Sequence, residues 1–199
     1  MNTLLARVGG LLDATKILDF LAPLGFRIFL APIFILAGYG KLTGAENLIP
    51  YFEFLGIPAP GLMVYVAGIT EFVGGILLIP GIAVRLIAVP LMFTMVVAAG
   101  TAHWENGWHV LPETELTVPW EWREDLIDQA VERRTMARNL LRRHGNYDWL
   151  TEAGPVTVLK NGIEFAATYF LMLLSLFFTG AGRASVDHLI GRRLKSNSD

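Results

Sequence analysis

The sequence predicts an all-α integral membrane protein: a four-helix bundle with an amphipathic N-terminal helix and a helical extramembrane insertion between the third and fourth spans. Three observations predict it. Apolar residues fill 53% of the 199 positions and charged residues only 17%, an imbalance that an ordinary globular domain does not show. Mean hydropathy is +0.48. The charges crowd into the two ends and residues 103–161, leaving four apolar segments, each near the roughly 20 residues that a hydrocarbon core of about 30 Å requires.

Residues 1–19 open the chain with Leu4, Leu5, Val8, Leu11, Leu12, Thr15 and Leu18 at helical spacing and charges on the other face. That pattern suits a helix lying on the membrane surface, or one that prolongs the first span out of it. No small-residue cleavage site follows a clean apolar core, so a cleavable leader is not expected.

The spans are expected at residues 20–39, 62–79, 84–102 and 162–181. Pro32 and Pro90 fall inside the first and third; each removes an N–H and frees a carbonyl one turn earlier. Gly68, Gly74 and Gly75 in the second allow close helix approach. An even number of spans puts both termini on one side, and the short loops there carry Arg7, Lys16, Arg85, Arg183, Arg192, Arg193 and Lys195. By the bias of Lys and Arg toward the cytoplasm, both termini are expected inside a bacterial-type inner membrane.

The segment 103–161 is expected outside. Four of the five tryptophans, at 104, 108, 120 and 122, follow the third span, where amphipathic rings favour the interface. Residues 121–144 then read as a helix with Leu126, Ile127, Ala130, Val131, Ala137, Leu140 and Leu141 on one face. Its acids come early and its arginines late, which complements the helix dipole, and Gly145 can end it. Such a helix either packs on the mouth of the bundle or offers a partner protein a docking surface.

An ionised side chain within a bilayer costs a few kcal/mol or more and therefore needs a partner or a cavity. Glu71 stands near the middle of the second span and Arg27 inside the first. Arg27 lies roughly 10 Å in from the cytoplasmic end of its span and Glu71 roughly 14 Å in from the outer end of its own. An Arg27–Glu71 ion pair between neighbouring antiparallel helices is the expected solution, with a structural role in fixing register. Lys41, His103 and Glu164 should lie near one outer level above Glu71. Together they could form a pocket for a small polar group or a proton relay, and singly they could be interfacial residues touching water.

Other chemistry is poorly served. The chain has no cysteine and a net charge of −2, which leaves no thiolate metal site or iron–sulfur cluster and no basic field for nucleic acid. His103 and His109 flank Glu105 at a spacing that matches no metal motif, so no metal is expected. The four histidines lie outside the span centres, where haem ligands would be wanted, and no flavin site is evident.

The series "AGYGKL" at 37–42, "LGIPAP" at 55–60, "TEFVGGILLIPG" at 70–81 followed by Arg85, and "GAGRASVD" at 180–187 resembles the DoxX family of small four-helix membrane proteins. The resemblance implies polar family positions at Arg27, Lys41, Glu71, Arg85, His103, Glu164 and Asp187. It also implies a setting: relatives associated with quinol oxidation and thiosulfate:quinone oxidoreduction, with membrane redox complexes and thiol-oxidant defence, or with biosynthesis of copper-associated modified peptides. The expected function is an accessory subunit of quinone-linked or oxidant-handling metabolism, with a quinone as ligand and electrons supplied by a partner protein. The alternatives are a non-catalytic anchor or assembly factor, and a small-solute transporter, for which a homo-oligomer could form the path.

Overall fold

The computed structural model describes residues 16–196. The expected N-terminal amphipathic helix falls almost wholly outside these residues. The described chain is helical, with no strand among the described residues. After a short 3-10 turn at Lys16–Leu18 come α1 (Leu21–Thr43), α2 (Ala45–Phe54), α3 (Pro60–Leu78) and α4 (Val84–Ala98). A π turn at Ala99–His103 and a 3-10 turn at Trp104–Asn106 prolong α4. Then follow α5 (Asp125–His144), the single turn α6 (Tyr147–Leu150), α7 (Glu164–Thr179) and α8 (Val186–Ser196).

Among the described residues, three stretches are long and apolar enough to cross a membrane: Lys16–Thr43, Pro60–Leu78 and Val84–Asn106. The fourth expected span is present as α7, but it is a 16-residue helix, about 24 Å long against a core of about 30 Å. Its start is delayed because residues 160–164 instead pair with the 107–110 loop. Gly162 N–H donates to His109 O, Ile163 N–H to Gly107 O and Glu164 N–H to Trp108 O, all within 3.0 Å. Its end is fixed by Gly180, whose φ of +79° belongs to the left-handed region.

The chain divides into two compact units, one comprising residues up to Thr94 together with those from Tyr169, the other Met95–Thr168. In the first, α1 and α3 pack against each other. Leu30, Ala31 and Phe34 of α1, Val64 and Leu78 of α3, Ala88 and Leu91 of α4, and Leu173 and Leu176 of α7 are all buried. The packing is close because glycines face backbone. A Cβ on Gly75 would stand 2.8 Å from Ile35 N and 2.9 Å from Ala31 O. One on Gly38 would overlap the backbone of Phe72, and one on Gly68 would meet Leu42 at 3.0 Å. Gly74 instead faces the Leu91 side chain of α4, also at 3.0 Å. The outward faces remain apolar, with Phe29, Leu36, Ile69, Leu86 and Phe93 exposed, as lipid contact requires.

The second unit is built on the loop after α4. Trp104 and Trp122 stack with centroids 4.6 Å apart, and Trp108 meets Trp120 edge-on at 5.8 Å. In α5 the expected face is inward at Ile127, which is buried, whereas Leu140 is exposed. Asp125 and Asp128 occupy its first turn and Arg142, Arg143 and His144 its last, the order the helix dipole favours.

Candidate intramembrane polar site

Glu71 is closed off from the surface, and its partner is Lys41. Lys41 Nζ donates to Glu71 Oε2 at 2.6 Å, with the two side chains 23% and 5% exposed. The pairing follows from the register of α1 on α3, which sets Gly38 against Gly68 and Phe72, and Gly75 against Ala31 and Ile35. The level of Glu71 therefore lies about ten residues, roughly 15 Å, along α1 from Arg27. The expected Arg27–Glu71 ion pair does not form. Estimating depth from hydropathy alone ended the first span at Tyr39, but the helix continues to Thr43 and carries Lys41 into the bundle.

Arg27 does different work. It is fully buried, and its NH1 reaches the carbonyls of Leu78 and Ile79, each at 3.4 Å, while NH2 donates to Ala184 O at 2.6 Å. A cation at the carbonyl end of α3 complements the helix dipole and occupies orphan acceptors. Its Nε has no hydrogen-bond partner. Gly81, with φ of +72°, stands against this guanidinium, and a Cβ there would collide with NH1.

The same end of the first unit holds Asp187 at the start of α8. Its carboxylate accepts from Ala83 N–H at 2.7 Å and from Val84 N–H at 3.0 Å, supplying the first turn of α4 with a cap from a distant part of the chain. Arg85 NH2 donates to Phe178 O at 3.1 Å, near the last turn of α7.

His103 and Glu164 lie in the second unit and bond to separate partners there. His103 Nδ1 stands 2.9 Å from Asn161 O. Glu164 Oε2 accepts from Val110 N–H at 3.0 Å and lies 3.5 Å from His109 Nδ1. His109 Nε2 is also 2.6 Å from Glu113 Oε1, yet without hydrogen-bond alignment, so both Glu113 oxygens are buried and unbonded. Among the described residues, no three His, Asp or Glu side chains form a metal-holding group.

Sequence reasoning missed the second unit's buried ion pair. Lys160 Nζ donates to Glu121 Oε2 at 2.6 Å, with both side chains almost fully enclosed. Glu121 also accepts from the N–H groups of Trp108 and Arg123. Burial alone would raise the Glu121 carboxyl, but the hydrogen bonds from Lys160, Arg123 and Trp108 together hold it below its ordinary value. The signal was one acid flanked by tryptophans in "VPWEW", with one lysine shortly before the fourth apolar segment.

Comparison with known proteins adds the decisive observation: the helices carrying Arg27, Lys41 and Glu71 fall inside a family match. Residues 22–104 match the model of the DoxX family. The chain is 33% identical over 70 residues to CatD of Bacillus subtilis, a protein named as a candidate oxidoreductase, covering 35% of this chain and 51% of that one. It is 36% identical over 73 residues to the inner membrane protein YqjF of Escherichia coli, covering 37% and 55%. It is 32% identical over 77 residues to the inner membrane protein YphA of Escherichia coli, covering 39% and 55%. The chain thus spans about half the length of the curated relatives it matches. No solved structure matches it.

Proposed function

We propose that this DoxX-family membrane protein is an accessory subunit of quinone-linked or oxidant-handling metabolism, seated in a bacterial-type inner membrane with both termini cytoplasmic. The observation that carries the reading is the Lys41–Glu71 pair. It sets an ammonium 2.6 Å from a carboxylate between two apolar helices. Such a pair can hold a proton at either atom and give it to a neighbouring oxygen. A bound quinone would supply two-electron chemistry coupled to proton uptake. The donor set fits its carbonyl: Lys41 is the more open member, so its Nζ is what a ligand arriving from the lipid would meet, while Glu71 orients and recharges it. In this reading a partner protein would supply the electrons. The name given to CatD supports a redox setting.

The test is purification in mild detergent, followed by extraction and mass spectrometry of co-purifying quinones. The expected result is about one quinone per chain in the parent and strong depletion in Lys41→Met and Glu71→Gln. A folded parent that carries no quinone, in the presence of a stoichiometric partner polypeptide, moves the reading to an anchor or assembly factor. The largely exposed Met136 and Leu140 on α5 favour that second reading, as a surface a partner could cover.

A further inference from the structure

The first unit contains an open cavity of about 600 Å³ that lies apart from the Lys41–Glu71 pair. Arg85, Arg183 and His188 line it, together with the apolar Phe20 and Leu86. Two acids also face it, and both are engaged. Asp187 is held by the N–H groups of Ala83 and Val84, and Asp19 pairs with Arg183 at 3.4 Å. Arg85 spends one nitrogen on Phe178 O, and among the described residues its other N–H groups have no hydrogen bond. A guanidinium fork left open beside an apolar wall is suited to a tetrahedral oxyanion attached to a hydrocarbon body.

The position in the fold points the same way. α1 begins at Leu21, α4 begins at Val84 and α7 ends at Thr179, so the cavity sits where three apolar helices terminate. Leu21, Leu86 and Phe178 are exposed around that level. From the rim, α8 departs with Leu189, Ile190 and Leu194 exposed on one side and Arg193 and Lys195 in its last turn. A helix of this kind lies in the headgroup region with its cations toward anionic lipid.

We infer that this cavity is a binding site for the phosphate headgroup of an anionic glycerophospholipid, with Arg85 as the principal phosphate ligand, His188 and Arg183 beside it, and α8 lying along the surrounding lipid. The site is independent of the proposed quinone-linked function. Occupancy would tie α4, α7 and α8 together at the membrane surface.

Native mass spectrometry of the full chain in detergent, incubated with phosphatidylglycerol or with diacylglycerol, which has the same hydrocarbon body and no phosphate, tests it. The expected result is one tightly retained phosphatidylglycerol per chain, preferred over diacylglycerol by about tenfold, the scale of one charge-assisted bidentate contact. Arg85→Gln should lose that preference, and Asp19→Asn, which removes a competing anion, should strengthen retention. A rise in the Asp19→Asn variant is something a merely structural role for these residues would not produce. Competition by inorganic phosphate alone would support the phosphate chemistry and assign the site to soluble phosphate esters. Equal retention of both lipids by the parent, or unchanged retention in both variants with thermal stability preserved, would overturn the inference.

Discussion

Val84 N–H donates to Asp187 Oδ2 at 3.0 Å across 103 positions of sequence, so α4 is capped by the first turn of α8. The same carboxylate takes Ala83 N–H. Asp187→Ala should cost about 1–2 kcal/mol, the range of a lost N-cap, and Asp187→Asn less, since the amide oxygen still accepts. Thermal unfolding in detergent checks the order; equal losses would mean that the charge, not the acceptor, matters.

The Lys41–Glu71 pair should respond asymmetrically. Lys41→Met strands the enclosed carboxylate and should cost about 3–5 kcal/mol. Glu71→Gln leaves an ammonium whose long stem can reach the surface, and should cost less. Joint replacement by Met and Leu should recover most of the loss. The readout is denaturant unfolding of the two single variants and the double.

Acid should act on the second unit through Glu121. Its folded-state value lies below the unfolded value of about 4.3, so the pair's stability is present above that pH and is lost as pH falls through the folded value. Lys160→Met removes a main lowering contact and leaves the burial, so acid loss should begin at a higher pH. Glu121→Gln should abolish the step and destabilise the unit at neutral pH. Fluorescence of the paired tryptophans at 104, 108, 120 and 122 follows the transition.

Gly75→Ala and Gly74→Ala are chemically identical changes with different neighbours. At Gly75 the new methyl meets the backbone of Ile35 and Ala31 within 2.9 Å, which cannot yield without moving α1, and the expected loss is about 1–3 kcal/mol. At Gly74 it meets the flexible end of Leu91, and the loss should be smaller. Thermal melts of the two variants in one detergent decide it.

Much of the membrane architecture was legible because hydropathy and helix length are coupled by the bilayer. α3 and α4 begin within two residues of their expected starts, and Gly68, Gly74 and Gly75 mark real close contacts. What hydropathy cannot carry is register. A charged residue such as Lys41 ends an apolar window while the helix runs on, and the ladder of glycines from Gly38 to Gly75 then decides which charges meet. That is why Glu71 was given the wrong cation. The second unit was less legible because its key contacts join loop residues, such as Glu121 and Lys160, whose pairing depends on long-range geometry and not on periodicity. The shortening of α7 has the same origin: its first expected turn is taken by the 107–110 loop.

Arg27 has a consequence for how the protein is made. Its guanidinium is emitted from the ribosome with the first apolar helix, yet one of its acceptors, Ala184 O, lies 157 positions later. Until that last segment arrives, the nascent chain carries a cation among hydrophobic neighbours with its hydrogen bonds incomplete. A chain interrupted before residue 184 would keep the Leu78 and Ile79 carbonyls for NH1 and leave NH2 without this acceptor, so its first helices should be less stable than those of the full chain.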